Sequence, residues 1–302
     1  MRILITGGSG FIGKYLVDAL ASTYELFVLG RKKNCQYIVT KENRSVPYIT
    51  TDYGKASLEQ IFERIKPEAV VHLAAQRLEK EKKTADYISN ILISIELFKT
   101  CLKFNVVNIV NISTISAYSF FNQIPWVEDL VTIPSNEYGL SKKMVEDAAL
   151  YFNSKGLKIK ILRLAQTIGL GEREGYVLQT YLSNALKGKH QVVFGKGEGK
   201  RHYIYIKDVI DAIEKCIFQS DKMGIFNIGM IENYSFLQLC TTINHVFMNE
   251  AGIEQVKEFV ADENVYLMDI SKAQRELNWF PRFNLRETYL DIKSDISRVD
   301  SK

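Results

Sequence analysis

The 302-residue sequence is poor in the residues from which metal and disulfide sites are built. Its four cysteines (Cys35, Cys101, Cys216 and Cys240) form no Cys-x-x-Cys pair. That excludes a zinc ribbon or a disulfide framework and suits reduced thiols in a cytoplasm. The four histidines are equally dispersed and offer no metal cluster. No apolar stretch approaches the ~20 residues that span a bilayer, so no membrane partner is expected. Met1-Arg-Ile-Leu-Ile-Thr6 reads as a strand rather than as a cleavable leader. The net charge is only +4 and the longest basic run is Arg31-Lys32-Lys33, which argues against a nucleic-acid surface. What remains, with 46% apolar and 25% charged residues, is an ordinary soluble composition with an ample core.

The first two-thirds alternates short β-rich runs with helical patterns. Strands are expected at 2–6, 25–29, 69–73, 108–113 and 158–164, with helices around 10–22, 58–65, 84–104 and 137–153. Short apolar strands separated by helices predict a Rossmann-like, doubly wound parallel sheet covered on both faces. After Leu164 the pattern changes. Glycine- and charge-rich stretches at 169–175 and 195–199 separate helices at 176–187, 206–219 and 236–249 from isolated strands such as 224–228. The expected division is a dinucleotide-binding domain over 1–168 and a smaller α/β substrate lobe over 169–302, with 203–228 returning to the main sheet. No Pro/Ser-rich linker marks the boundary.

The first strand runs into Gly7-Gly8-Ser9-Gly10-Phe11-Ile12-Gly13, where Gly8-x-Gly10-x-x-Gly13 and Gly7-x-x-Gly10-x-x-Gly13 overlap. Glycine here permits a tight turn, close approach of backbone to a pyrophosphate, and close helix–strand packing. An ordinary glycine-rich turn is the bland alternative. A strand before and a helix after favour the dinucleotide. An NAD site usually carries an acid at the end of the second strand, for the ribose 2′-hydroxyl. This strand ends instead in Gly30-Arg31-Lys32-Lys33. A 2′-phosphate would meet positive charge there, so the cofactor is NAD(P) with NADP favoured.

Tyr138 and Lys142 are four apart and share one helical face. A fixed ammonium beside a phenol favours the phenolate and makes it usable for proton transfer near neutral pH. With 16 tyrosines, the spacing alone could arise by chance. Thr114, a strand-end hydroxyl 24 residues earlier, and the preceding glycine turn add weight. His72 on an apolar strand reads as a satisfied core histidine, and Cys101 as packing.

These residues resemble the extended short-chain dehydrogenase/reductase family, particularly its nucleotide-sugar epimerases, dehydratases and reductases, over nearly the full length. Gly7, Gly10 and Gly13 fit its glycine pattern, with Phe11 and Ile12 between them. Asp52 with Tyr53 sits where the family contacts adenine. His72-Leu73-Ala74-Ala75 matches the segment under the cofactor, and Asn90 a helix asparagine that supports the site. The run 112–118 resembles the strand end that carries the catalytic Ser/Thr, which places that role on Thr114, and Tyr138 with Lys142 matches the catalytic and cofactor-binding pair. Arg201 matches an arginine that contacts the substrate diphosphate, and Phe226-Asn-Ile-Gly229 and Asp269-Ile-Ser-Lys-Ala273 match C-terminal signatures.

The resemblance implies that Tyr138 takes a proton from a sugar hydroxyl while hydride passes to the nicotinamide, Lys142 holds the phenolate, and Thr114 hydrogen-bonds the reacting oxygen. Dehydratases carry Asp-Glu after the catalytic Thr; here Ile115-Ser116 stands there, which removes dehydration and leaves epimerase or reductase. Gln166 replaces a family Asn, and a second phosphate-binding arginine is replaced by Phe259. Substrate contacts are expected from Gln76, Ser116, Gln166, Arg173 and Arg201. The leading expectation is a cytoplasmic C4 epimerase of a UDP-hexose or UDP-N-acetylhexosamine. An NADPH-dependent reductase of a 4-keto-6-deoxy sugar nucleotide is the rival, and a non-catalytic NADP sensor the third reading. In relatives, helices corresponding to 84–104 and 137–153 pair across a two-fold, which implies a homodimer.

Overall fold

The computed structural model describes residues 1–76, 84–119, 121–172, 176–256 and 264–300. The chain opens with β1 (Arg2–Thr6), α1 (Phe11–Leu20), β2 (Glu25–Gly30), β3 (Tyr37–Val39) and β4 (Ser45–Thr50). It continues through α2 (Lys55–Ile65), β5 (Ala69–His72), α3 (Thr84–Lys103) and β6 (Asn108–Thr114), which runs into a single 3-10 turn, Ile115–Ala117. Then come α4 (Glu137–Asn153), β7 (Lys158–Leu164), β8 (Gln166–Ile168), α5 (Val177–Leu186), β9 (Gln191–Phe194) and β10 (Lys200–Tyr205). The remainder is α6 (Ile206–Phe218), β11 (Gly224–Ile228), β12 (Asn233–Ser235), α7 (Phe236–Phe247), β13 (Ile253–Val256), α8 (Ser271–Leu277) and α9 (Leu285–Asp300).

Eight strands form the main sheet in the order β11-β7-β6-β5-β1-β2-β4-β3, parallel throughout except for β3 at the edge. The winding reverses at β1, whose neighbours are β2 and β5. A crevice opens there at the carboxyl ends of the strands, where such sheets take ligands. The strands are near-continuous apolar runs because both faces are covered. On one face Leu58 and Phe62 of α2, Leu97 and Phe98 of α3, and Val145 and Ala149 of α4 are buried together. On the other, Leu16 of α1 and Val209 and Ile213 of α6 join a core that continues through Leu182 of α5, Leu239 of α7 and Tyr289 of α9.

β3 and β4 lie outside the strands expected from the sequence. Pro47 interrupts the second of them, and β3 is short and largely exposed, so neither carries a clean alternation. Of the stretch 203–228, β11 joins the main sheet beside β7, whereas β10 lies in a three-stranded sheet with β8 and β12. That smaller sheet holds Gln166 and Arg201 on neighbouring strands, with Gln166 in register with Tyr203.

Candidate functional site

A cavity of about 890 Å³ lies over the carboxyl ends of β1, β2, β5 and β6. Its floor at one end is the glycine turn. Gly7 adopts φ +71°, and a Cβ there would come within 2.8 Å of the Ala74 nitrogen. A Cβ on Gly13 would stand 2.5 Å from the Gly7 oxygen. The turn therefore closes only on bare backbone. Gly10 is the N-cap of α1, which has no side-chain cap and no acid in its first turn. Its free N–H groups and positive dipole end are left for an anion. These features fit the pyrophosphate of a dinucleotide.

The segment after β5 is pinned beneath the cavity. Thr6 Oγ1 accepts from the backbone N–H groups of Leu73 (3.2 Å) and Ala74 (3.1 Å). It therefore donates its own proton to His72 Nδ1, 2.7 Å away. His72 Nε2 then donates to Ser94 Oγ (2.9 Å), which donates to the Asn90 carbonyl. Burial pushes the His72 pKa down to about 3, with the Lys142 charge adding to it, so the ring is a neutral strut. Asn90 clamps the same segment: its Oδ1 accepts from Gln76 N (2.6 Å), and its Nδ2 donates to Gln76 O (3.1 Å) and Ser141 Oγ (3.2 Å). Ser141 donates to the Tyr138 carbonyl (2.8 Å), so one asparagine ties the strand end to α4.

Thr114 is the last residue of β6, and its Oγ1 accepts from Ser116 N (3.1 Å). Asn136 caps α4 by accepting from Gly139 N (2.8 Å). A Cβ on Gly139 would lie 2.1 Å from the Ser116 carbonyl oxygen, so the first turn of α4 rests directly on the 3-10 turn. Thr114, Ser116, Tyr138 and Lys142 all line the cavity. The Tyr87 ring supports Tyr138 at 6.3 Å between centroids. Lys142 is only 5% exposed. Burial pushes its pKa down to about 8, opposed by the negative charge of Glu146 one turn on. Gly139→Val should lower stability by about 1–3 kcal/mol by overpacking this contact, a change readable in the denaturation midpoint.

Behind Lys142 lies a buried polar network. Arg163 of β7 forms a bidentate pair with Glu146, at 3.0 Å to Oε1 and 2.7 Å to Oε2. The two side chains are 1% and 0% exposed. Ser113 donates to the same carboxylate, and Arg163 Nη1 donates to the Tyr118 hydroxyl (2.6 Å). The Glu146 and Arg163 carboxylate–guanidinium interaction thus joins the helix carrying Tyr138 to the strand next to Thr114.

Gly10, Phe11, Ile12, Arg31, Tyr53, Leu73, Ala75, Gln76 and Gln166 also line the cavity. Arg31 lies at the far end from Tyr138, with its guanidinium 5.9 Å from the Tyr53 ring centroid. Two expected residues stand apart from it. Asp52 is exposed and accepts from Gly54 N (2.8 Å) at the start of α2. Arg201 stacks on Tyr266 at 4.3 Å and Phe236 at 5.2 Å, and donates to the Asn264 carbonyl (3.0 Å). Neither lines the cavity. Arg173 and Phe259 lie outside the described residues. Among the described residues there is no cluster of three or more His, Cys, Asp or Glu placed to hold a metal, and no helix long and apolar enough to cross a membrane.

The profile of the NAD dependent epimerase/dehydratase family matches residues 3–229. The chain belongs to that family. As a member of the epimerase/dehydratase family it is an enzyme of nucleotide-sugar chemistry that binds a nicotinamide cofactor. It is similar to the crystal structure of UDP-N-acetylglucosamine 4-epimerase from Bacillus cereus, at 29% identity and a TM-score of 0.86 over 98% of this chain and 99% of the other. UDP-glucose 4-epimerase from Thermotoga maritima, solved with UDP-glucose, aligns at 26% identity and a TM-score of 0.83 over 99% and 100% of the two chains. The dTDP-4-dehydro-6-deoxyglucose reductase of Escherichia coli is 27% identical over 92% of each chain.

Sequence reasoning about this epimerase/dehydratase-family chain missed Glu146, Ser141, Gly139 and Tyr48 as parts of the site. Glu146 did carry a signal, since Tyr138, Lys142 and Glu146 repeat at four-residue spacing and share a helical face. Tyr48 carried none.

Proposed function

We propose that this protein is a cytoplasmic homodimeric epimerase that inverts C4 of a UDP-hexose or UDP-N-acetylhexosamine through a 4-keto sugar. The observation that carries the reading is that Thr114, Tyr138 and Lys142 line the same cavity as the glycine turn. The glycine turn and Arg31 would hold the dinucleotide, and its nicotinamide would supply a hydride acceptor and donor beside the sugar. The chain's own residues handle the proton and the oxygen. Tyr138 takes the proton of the 4-hydroxyl and later gives it back, and the adjacent Lys142 ammonium favours the phenolate during that exchange. Thr114 Oγ1 already accepts from Ser116 N, which leaves its proton free for the reacting oxygen as that becomes a carbonyl. Gln76, Ser116 and Gln166 line the same cavity, which supports contacts from them to the sugar. Ile115 and Ser116 supply no acid–base pair for removing water, and they leave room for the keto sugar to turn over.

NADP is favoured over NAD because the second strand ends in Gly30 and Arg31, with no carboxylate to repel a 2′-phosphate. The basic end of the cofactor cleft and the likeness to a sugar-nucleotide reductase support a second reading, reduction of a 4-keto-6-deoxy sugar nucleotide. One assay separates them. Incubated with UDP-glucose and UDP-N-acetylglucosamine, the purified protein should yield the C4 epimer by NMR with no net consumption of cofactor. Stoichiometric NADPH oxidation with a 4-keto-6-deoxy sugar nucleotide, and no epimer from either UDP-sugar, would overturn the epimerase.

The dimer reading rests on α3 and α4, which expose Ile88, Leu92 (63%), Leu140 and Met144. Contiguous apolar side chains on paired helices suit a second copy of the same surface. Light scattering at micromolar concentration should give twice the chain mass. A monomeric mass there removes the dimer.

A further inference from the structure

We propose that Tyr48, on β4, reads the oxygen at the 2′ position of the cofactor's adenosine ribose by donating its phenolic proton to it. In dinucleotide folds the residue at the end of the second strand faces that ribose, and a carboxylate there accepts from the 2′-hydroxyl. Here that position is Gly30, which has no side chain, and the space is filled from another strand. A Cβ built on Gly30 would lie 2.0 Å from the Tyr48 hydroxyl oxygen. The hydroxyl thus stands at the root of the side chain that an acidic residue would place there.

The local hydrogen bonds assign its polarity. The Tyr48 hydroxyl accepts from the Lys32 backbone N–H at 3.0 Å, and no described group receives its own proton. Lys32 is itself held by Thr50 Oγ1, which donates to its carbonyl at 2.9 Å. The phenol is therefore fixed with its donor side open. Tyr48 is 6% exposed yet lines the cavity, in company with Arg31 and Lys32. A donor suits an oxygen that can accept: a 2′-phosphate above all, and a 2′-hydroxyl second. With Arg31 alongside, the pair supplies one neutral and one charged donor where a carboxylate would supply only acceptors.

This inference rests on reading the cavity as a dinucleotide site. Its test uses the intact chain and three adenosine probes: 2′,5′-ADP, 5′-AMP and 2′-deoxy-5′-AMP, titrated by calorimetry. In Tyr48→Phe, 2′,5′-ADP should bind about tenfold more weakly, as expected for one hydrogen bond to a charged acceptor. Binding of 2′-deoxy-5′-AMP, which has no 2′ oxygen, should stay within about twofold of wild type. Gly30→Ala, which displaces the hydroxyl without removing it, should produce the same selective loss. Equal losses for all three probes, or none, overturn the role of Tyr48. The NADP preference is tested separately by the wild-type ratio of 2′,5′-ADP to 5′-AMP. If 5′-AMP binds more tightly, NADP is wrong, and Tyr48 then stands only if Tyr48→Phe weakens 5′-AMP while sparing the deoxy probe.

Discussion

Tyr138→Phe is expected to lower kcat by about 10³-fold on a confirmed sugar nucleotide, the range in which a positioned general acid–base group acts. Cofactor affinity should change by no more than about twofold, because the ring and its packing on Tyr87 survive. The split is what identifies the role. A residue that merely shaped the cavity would lose binding and turnover together, whereas a proton carrier loses only the chemical step. Steady-state rates with a fluorescence titration of the reduced cofactor measure both. Turnover above about a tenth of wild type in the phenylalanine variant would remove Tyr138 from the proton path.

Glu146→Gln is expected to cost about 3–5 kcal/mol, read as a fall in the urea or thermal midpoint, because it leaves the Arg163 guanidinium buried and uncompensated. Ser113 and Arg163 both spend hydrogen bonds on this carboxylate, so the amide cannot replace it bond for bond. Removing both charges together, as Glu146→Leu with Arg163→Met, should recover most of the loss, since a buried pair contributes little net stability against apolar side chains of similar volume. The same substitution should also move the pH profile. Glu146 holds the Lys142 pKa up against burial, which sets it at about 8. Without that negative charge the ammonium gives up its proton at lower pH. The alkaline limb of kcat, where Lys142 ceases to support the phenolate, should therefore shift to lower pH in whatever fraction of Glu146→Gln remains folded. A limb that stays in place, or moves up, contradicts the coupling of Glu146 to Lys142.

Residues whose signal is local were legible. The glycine turn announces itself by strand, glycines and helix in immediate succession, and a Cβ on Gly7, Gly8 or Gly13 would come within 3.0 Å of a neighbouring atom. The spacing of Tyr138 and Lys142 follows from helical geometry alone. His72 on an apolar strand is a satisfied core histidine, with two buried hydrogen bonds. Asp52 and Arg201 do not line the cavity. Asp52 turns back on Gly54, and Arg201 lies between two aromatic rings, one of them Tyr266, 65 residues away.

By itself the sequence determined the doubly wound sheet, the glycine turn after β1, and the order and spacing of Thr114, Tyr138 and Lys142. These rest on periodicity and on backbone conformations that only particular residues adopt. Tertiary structure alone decided which distant side chains complete the site. Tyr48 reaches the end of β2 because β4 pairs with β2 in register, Tyr48 against Val28. Glu146 meets Arg163 because α4 packs over β6 and β7. Strand register and helix packing are chosen by the whole core at once, and no window of sequence holds the partners that set them.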